Sequence, residues 1–332
     1  MGSRSWNALG GALAASTMLL ILHPNAGADD KLEVRSDATR GPQLPTLPSF
    51  ADALSLVSPL SARVYFGESS FRMGSTRAEM DLALADCAAE VHGPLCELGH
   101  FNNEGPERLV RVSAFTVDRF EVTQADYERC VAARRCEPVP YFRGAERFKG
   151  PRLPVSLVTW DEARDYCHFA GAELPTEAQW ERAARGLGQR RYPWGNLYHS
   201  RRSNHGRLAW DETDDVDGFR ELAPVGSYAS GATPERIFDL AGNVEEWAFD
   251  RYDAEYDPND LTDPHGATTS EGNGAHAVRG GSYTSPRARL RGASRTAAFA
   301  NVRDPSRGFR CAASASPEAS PLPPTTSPAP LP

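Results

Sequence analysis

Apolar and polar residues alternate through Val110-Arg-Val-Ser-Ala-Phe-Thr-Val-Asp118, the pattern of a half-buried strand. Thr123 precedes Gln124-Ala-Asp-Tyr-Glu-Arg-Cys130, which reads as an N-capped helix. Thr159 stands before residues 160–169, where Trp160, Ala163, Tyr166 and Cys167 share one helical face. Thr176 caps residues 177–185, and because Glu181 lies beyond the first turn the capping box is only partial. After Gly186 turn-forming residues dominate, up to the strand-like Ala277-Val278-Arg279. Short elements set far apart describe a loop-rich chain, and long loops in a compact domain need staples.

The two ends of the chain depart from this pattern. Residues 1–28 read as a cleavable export signal: Arg4, an apolar run around Leu9–Leu22, then the small-residue site Ala26-Gly27-Ala28. That run is too short to span a bilayer, which needs roughly 20 apolar residues. Residues 29–61 are polar and interrupted by Pro42, Pro45 and Pro48, so they read as a linker with one short helix near Phe50–Val57. From Ala312 to Pro332 the chain is almost wholly Ala, Ser, Thr and Pro, a composition that cannot bury enough apolar area to order itself. Residues 313–332 are therefore expected to be a disordered Pro-rich tail, with the folded domain at 62–312.

Composition adds a compartment and removes some functions. The chain of 332 residues carries 36 Lys and Arg against 44 Asp and Glu, a formal charge of −8. A nucleic-acid footprint needs a strongly basic face, so none is expected. No later segment is apolar enough to cross a membrane. An exported protein meets an oxidising space, periplasmic or extracellular, in which its 6 cysteines can pair. Cys87 with Cys96 and Cys130 with Cys136 would each close a local loop, although six cysteines allow 15 pairings. His168, His199, His205, His265 and His276 are scattered without zinc-ligand spacing.

Several segments, in order, carry a resemblance. They are Phe71-Arg-Met-Gly-Ser75, Val117-Asp-Arg-Phe-Glu-Val-Thr123, Pro154-Val155 with Val158-Thr-Trp160, and Leu174-Pro-Thr-Glu-Ala-Gln-Trp-Glu181. Tyr192-Pro-Trp-Gly195, Asp239-Leu-Ala-Gly-Asn-Val-Glu-Glu-Trp247, Arg279-Gly-Gly-Ser282 and Gly308-Phe-Arg-Cys311 follow. Together they resemble the formylglycine-generating enzyme (sulfatase-modifying factor) family. The resemblance implies a single α+β domain with little regular structure, distantly similar to C-type lectin folds. It also implies a disulfide between Cys167 and Cys311.

The family's oxidases hold Cu(I) with two cysteine thiolates placed shortly after the Gly-Gly-Ser turn, soft ligands suited to that ion. Aligned without a gap, those positions here are Ser285 and Leu290, and no cysteine lies between Cys167 and Cys311. Copper is therefore not expected, nor is a catalytic residue of the copper-dependent kind. The resemblance further implies structural calcium. Asn204, His205, Asp217 and Phe219 match a first site, to which Asp211, Glu212, Asp214 and Asp215 add negative potential; Asn243 and Glu246, with the carbonyls of Gly242 and Val244, match a second. Carboxylate, carboxamide and carbonyl oxygens are what calcium prefers. Glu245 stands where the family usually has Trp.

The run Arg287, Arg289, Arg291 and Arg295 is basic within an acidic chain. With Ser282 and Tyr283 it forms the candidate ligand groove, suited to an acidic ligand held by forked hydrogen bonds; a salt-bridged face is the structural alternative. Two functional classes remain. One is a non-catalytic binding module, a pseudoenzyme that recognises an unidentified protein or small molecule. The other is an oxidoreductase of the same family with altered chemistry or substrate.

Overall fold

The computed structural model describes residues 62–90, 98–141, 145–206, 216–266 and 274–315. The export signal, the linker with its short helix, Cys96, the acidic loop of Asp211, Glu212, Asp214 and Asp215, and the tail beyond residue 315 lie outside the described residues. No described helix is long and apolar enough to cross a membrane.

Three small sheets carry the strands. Strands β1 (Arg63–Phe66), β4 (Phe115–Asp118) and β9 (Ala312–Ser314) form an antiparallel sheet in the order β1-β4-β9. Strands β2 (Ser69–Met73) and β3 (Arg108–Val112) pair antiparallel, with Phe71 opposite Val110. The third sheet runs β7 (Arg295–Phe299), β6 (Ala275–Arg279), β5 (Glu245–Arg251), β8 (Arg307–Gly308), and only β8 is parallel to its neighbour. Among the described residues four α-helices complete the set: α1 (Arg77–Glu90), α2 (Gln124–Ala132), α3 (Trp160–Phe169) and α4 (Glu177–Arg185).

The alternating segment 110–118 is two strands in two different sheets. The chain changes sheet at Ser113, whose N–H and hydroxyl both donate to the Asp263 carboxylate, at 2.6 and 2.7 Å. The alternation breaks at that corner: Val110 and Val112 are buried in β3 but Phe115 and Val117 in β4, so the buried parity switches across Ser113 and Ala114. The Pro-rich tail also starts later than its composition implied. Ala312–Ser314 pairs with β4, since the buried Cys311 anchors the chain there and Ala312 is itself buried.

The helix starts follow their caps. Thr123, Thr159 and Thr176 each accept a backbone N–H from the third residue onward. For α4 the capping box is complete rather than partial, because Gln179 and not Glu181 returns the bond to the Thr176 N–H, at 3.0 Å. The predicted face of α3 enters a core with Trp247, Val278 and Phe309. Within that core Cys167 and Cys311 are joined, their Cα atoms 5.5 Å apart, and Cys130–Cys136 closes the loop after α2. Cys87 is buried and disulfide-bonded.

Helix α4 lies against β2, β3, β5 and β6 and buries charged residues on its inner side. Glu181 accepts from Arg279 at 2.6 Å, from Arg185 at 3.0 Å and from the Gly74 N–H at 2.8 Å. Glu177 takes a fork from Arg295 at 2.6 and 2.9 Å. On β5, Glu246 takes a fork from Arg310 and a bond from Trp180 Nε1. Each ion buried without a partner would cost several kcal/mol. The Glu and Arg residues of four sequence motifs are therefore one internal ion-pair frame, which fixes the separate small sheets against α4.

Candidate functional site

The chain leaves β6 through Gly280 and Gly281 into a turn that ends in a short 3-10 helix, Arg287–Leu290. Gly281 has φ +67°, and a Cβ there would lie 3.1 Å from Ser285 Cβ. Glycine is what lets Ser282–Ser285 fold back against this strand end. Ser285 Oγ accepts the Ser282 N–H at 2.9 Å, and the Ser282 hydroxyl lies 2.9 Å from Thr284 Oγ1. Leu290 is fully buried and packs with Tyr192 and Ala241. A hydroxyl spent on a turn and an alkyl group inside a core supply no soft ligand.

Beside Ser285 lies a small, half-open cavity of about 80 Å³, lined among others by Glu245, Gly280, Gly281, Arg289, Ser294 and Arg295. Glu245 is held by Arg307, whose Nε donates at 2.7 Å, and burial raises its pKa from the ordinary value. A larger concavity of about 530 Å³ lies elsewhere, between Tyr127 and Val131 of α2 and the segment bearing Val139, Tyr141 and Lys149. The two share no lining residue.

The arginine run does not form an open cationic groove. Arg291 is buried and forks onto Glu104 at 2.5 and 2.7 Å. Arg295 is buried on Glu177, with a further bond to the Asn103 carbonyl. Arg287 meets Asp86 and Glu90 at 3.3 and 3.6 Å. Tyr283 is buried beside Phe148 and Leu222, and Ser282 is buried with its hydroxyl bonded inside the turn. Glu104, Asp86 and Glu90 sit far away in the sequence, so spacing within 282–295 could not reveal these partners. Only Arg289 keeps a guanidinium that reaches no hydrogen bond or ion pair among the described residues; burial, the largest cause, lowers its pKa from the usual range.

The two calcium sets are placed differently. In the first, the Asp217 carboxylate accepts the N–H of His205 at 2.6 Å and of Phe219 at 3.1 Å, tying two turns together. Asn204 donates from Nδ2 to the Glu221 carbonyl and to Asn243 Oδ1, both acceptors, which fixes the orientation of its amide. Its buried Oδ1 is left without a hydrogen-bond partner. An orphaned buried amide oxygen, one residue before the backbone N–H that the Asp217 carboxylate accepts, fits a hard cation. Gly242 backs this turn at φ +84°, where a Cβ would fall 2.0 Å from the Asn204 carbonyl oxygen.

In the second set the side chains are already used. Asn243 Oδ1 accepts from the Ala223 N–H and from Asn204, and its Nδ2 donates to Glu121 at 2.6 Å and to the Ala223 carbonyl. Both oxygens of Glu246 face the Arg310 guanidinium. These side chains fit donors rather than a cation. Glu121 and Asp239, which spacing did not single out, are buried here; desolvation raises both, Asp239 to about 6.

Residues 77–315 match the sulfatase-modifying factor enzyme 1-like domain. The chain is 31% identical over 266 residues to a formylglycine-generating enzyme of Thermomonospora curvata, covering 64% of this chain and 86% of that one. It is 30% identical over 264 residues to the inactive C-alpha-formylglycine-generating enzyme 2 of Mus musculus, covering 64% and 80%. Among solved structures, PvdO from Pseudomonas aeruginosa has the same fold: TM-score 0.58 at 23% identity, over 75% of this chain and 93% of that one. With the fold, the internal Glu–Arg frame and the domain match in agreement, this chain belongs to the sulfatase-modifying factor family.

Proposed function

We propose that the protein is an exported recognition module built on the sulfatase-modifying factor fold, in which copper-dependent oxidation of cysteine to formylglycine has been lost. The observation that carries this reading is that Leu290, which the ungapped alignment sets at the second copper-thiolate position, is buried among Tyr192 and Ala241. Ser285, at the first position, is committed to the turn through the Ser282 N–H. Cu(I) depends on thiolates in such a site, and neither residue offers one. The described cysteines are all in disulfides, which also suits an oxidising compartment. Relatives of both kinds, formylglycine-generating and inactive, are compatible with a scaffold that outlives its chemistry.

Calcium belongs to the same reading as a structural ion at the first set. Asn204 Oδ1, the Asp217 carboxylate and the carbonyls of His205 and Phe219 would hold it, and it would neutralise charge while locking two turns.

The test is anaerobic competition for Cu(I) between the oxidised protein and a chromophoric chelator. We expect the chelator to keep the metal. Stoichiometric transfer of Cu(I) to the protein would overturn the reading.

A further inference from the structure

Every arginine of the run but one has a carboxylate partner. Arg291 has Glu104, Arg295 has Glu177, and Arg287 has Asp86 and Glu90. Arg289 lines the 80 Å³ cavity beside Ser285, with Phe101 6.0 Å away on one side. Its charge cannot be shed, since a guanidinium stays protonated in proteins. Glu104 and Glu245 lie within electrostatic reach, but the guanidinium donates no hydrogen bond to either among the described residues, and a bound oxyanion would supply the missing acceptors.

The rest of the lining narrows the class. Ser294 is buried, and its hydroxyl makes no hydrogen bond among the described residues. Ser285 Oγ accepts the Ser282 N–H and lies 3.4 Å from the Ser282 hydroxyl, a long contact from which its proton can turn to an incoming anion. Two hydroxyl donors and one planar fork suit a small oxyanion. The volume admits a group of a few heavy atoms, not a ring or a nucleotide. Glu245 lies on the same wall, tied to Arg307 by a single oxygen, Oε1. A neighbouring carboxylate penalises a dianion more heavily than a monoanion. Phosphate and sulfate are therefore disfavoured relative to a carboxylate.

We propose that this cavity seats one carboxylate group of an acidic peptide, gripped by Arg289 and capped by the hydroxyls of Ser285 and Ser294. The inference rests on the reading of this position as a recognition site. The cavity lies beside Ser285, the first of the two aligned copper positions, and offers hydroxyl and guanidinium donors to an anion.

The probes are acetate, a blocked peptide with one Asp side chain, and a blocked peptide with a free C-terminal carboxylate, each titrated into the mature protein at constant ionic strength. Arginine Nε–Hε NMR resonances report binding, and the Arg289 signal is assigned by its disappearance in Arg289→Met. Saturable movement of that signal with any of the three is expected, and the peptide arms tell a side-chain carboxylate from a terminal one. In Arg289→Met, with the Ser285 and Ser294 amide resonances as reporters, affinity should fall at least tenfold, and Arg289→Lys should keep part of it. An unchanged melting temperature in both variants shows that folding is not the cause. Absence of saturable binding, equal affinity in Arg289→Met, or tighter binding of inorganic phosphate would each overturn the proposal. None of these results bears on copper uptake, so the failure of this inference and the failure of the recognition reading are separable.

Discussion

Arg291 and Glu104 show how single residues carry the interior. Their fork is buried on both sides, and Glu104 also accepts the Ser75 hydroxyl at 2.8 Å. Glu104→Ala strands a buried guanidinium and is expected to cost about 3–5 kcal/mol in denaturant unfolding. The double change Glu104→Leu with Arg291→Met should cost less than the single one, because no uncompensated charge remains. His276 behaves in the opposite sense. It is buried, stacks on Trp160 at 4.0 Å between ring centres, and donates from Nδ1 to the Phe249 carbonyl. Burial, the largest cause, lowers its pKa below the ordinary 6.5. The unfolded chain then binds the extra proton first, so stability is present above 6.5 and is lost as pH falls through that value towards the depressed folded one. Melting temperatures measured from pH 7.5 to 5 should therefore fall less steeply in His276→Phe than in the natural protein.

At the scale of elements, the disulfide between α3 and the residue just before β9 spans a sequence separation of 144 residues. Replacing Cys167 and Cys311 together with Ala is expected to lower unfolding free energy by about 2–5 kcal/mol. The loop carrying Asn204 and Asp217 gives a second test. Calcium at about 100 times its dissociation constant would add about 2.7 kcal/mol. Differential scanning calorimetry with calcium and with a chelator should show that gain in the natural protein and its loss in Asn204→Ala. Equal curves would remove calcium from the first set. The elements themselves were unevenly legible. Helices α2, α3 and α4 announced themselves through Thr123, Thr159 and Thr176 and an apolar face. Helix α1 did not, because only Ala83 and Cys87 are buried along its 14 residues. Strand β5 was hidden because Glu246 and Asp250 are buried in a segment that reads as polar. Their partners, Arg310 and the Glu177 N–H, lie far along the chain.

For the whole molecule, the motifs identified the fold, while the arginine run, open in the sequence to a groove or a salt-bridged face, is mostly ion-paired. Glu177, Glu181, Glu246, Arg279 and Arg310 fall in the segments that carry the resemblance, and in this chain they form one buried ion-pair frame. Charge in a motif is easily read as function, but a residue's partner is a tertiary fact that local spacing does not hold. Arg291 and Arg295 looked like ligand-binding residues and are buried in ion pairs; Arg289, just before them, lines the same small cavity as Arg295 but has no ion pair among the described residues. That no cysteine lies between Cys167 and Cys311, by contrast, was plain in the sequence and needs no coordinates to be noticed. The most direct measurement is mass spectrometry of a sulfatase-motif cysteine peptide incubated with the mature protein, Cu(I), oxygen and a thiol reductant. We expect the peptide to be recovered with its thiol intact at the level of the protein-free control. Conversion of that thiol to the aldehyde above the control would contradict the account.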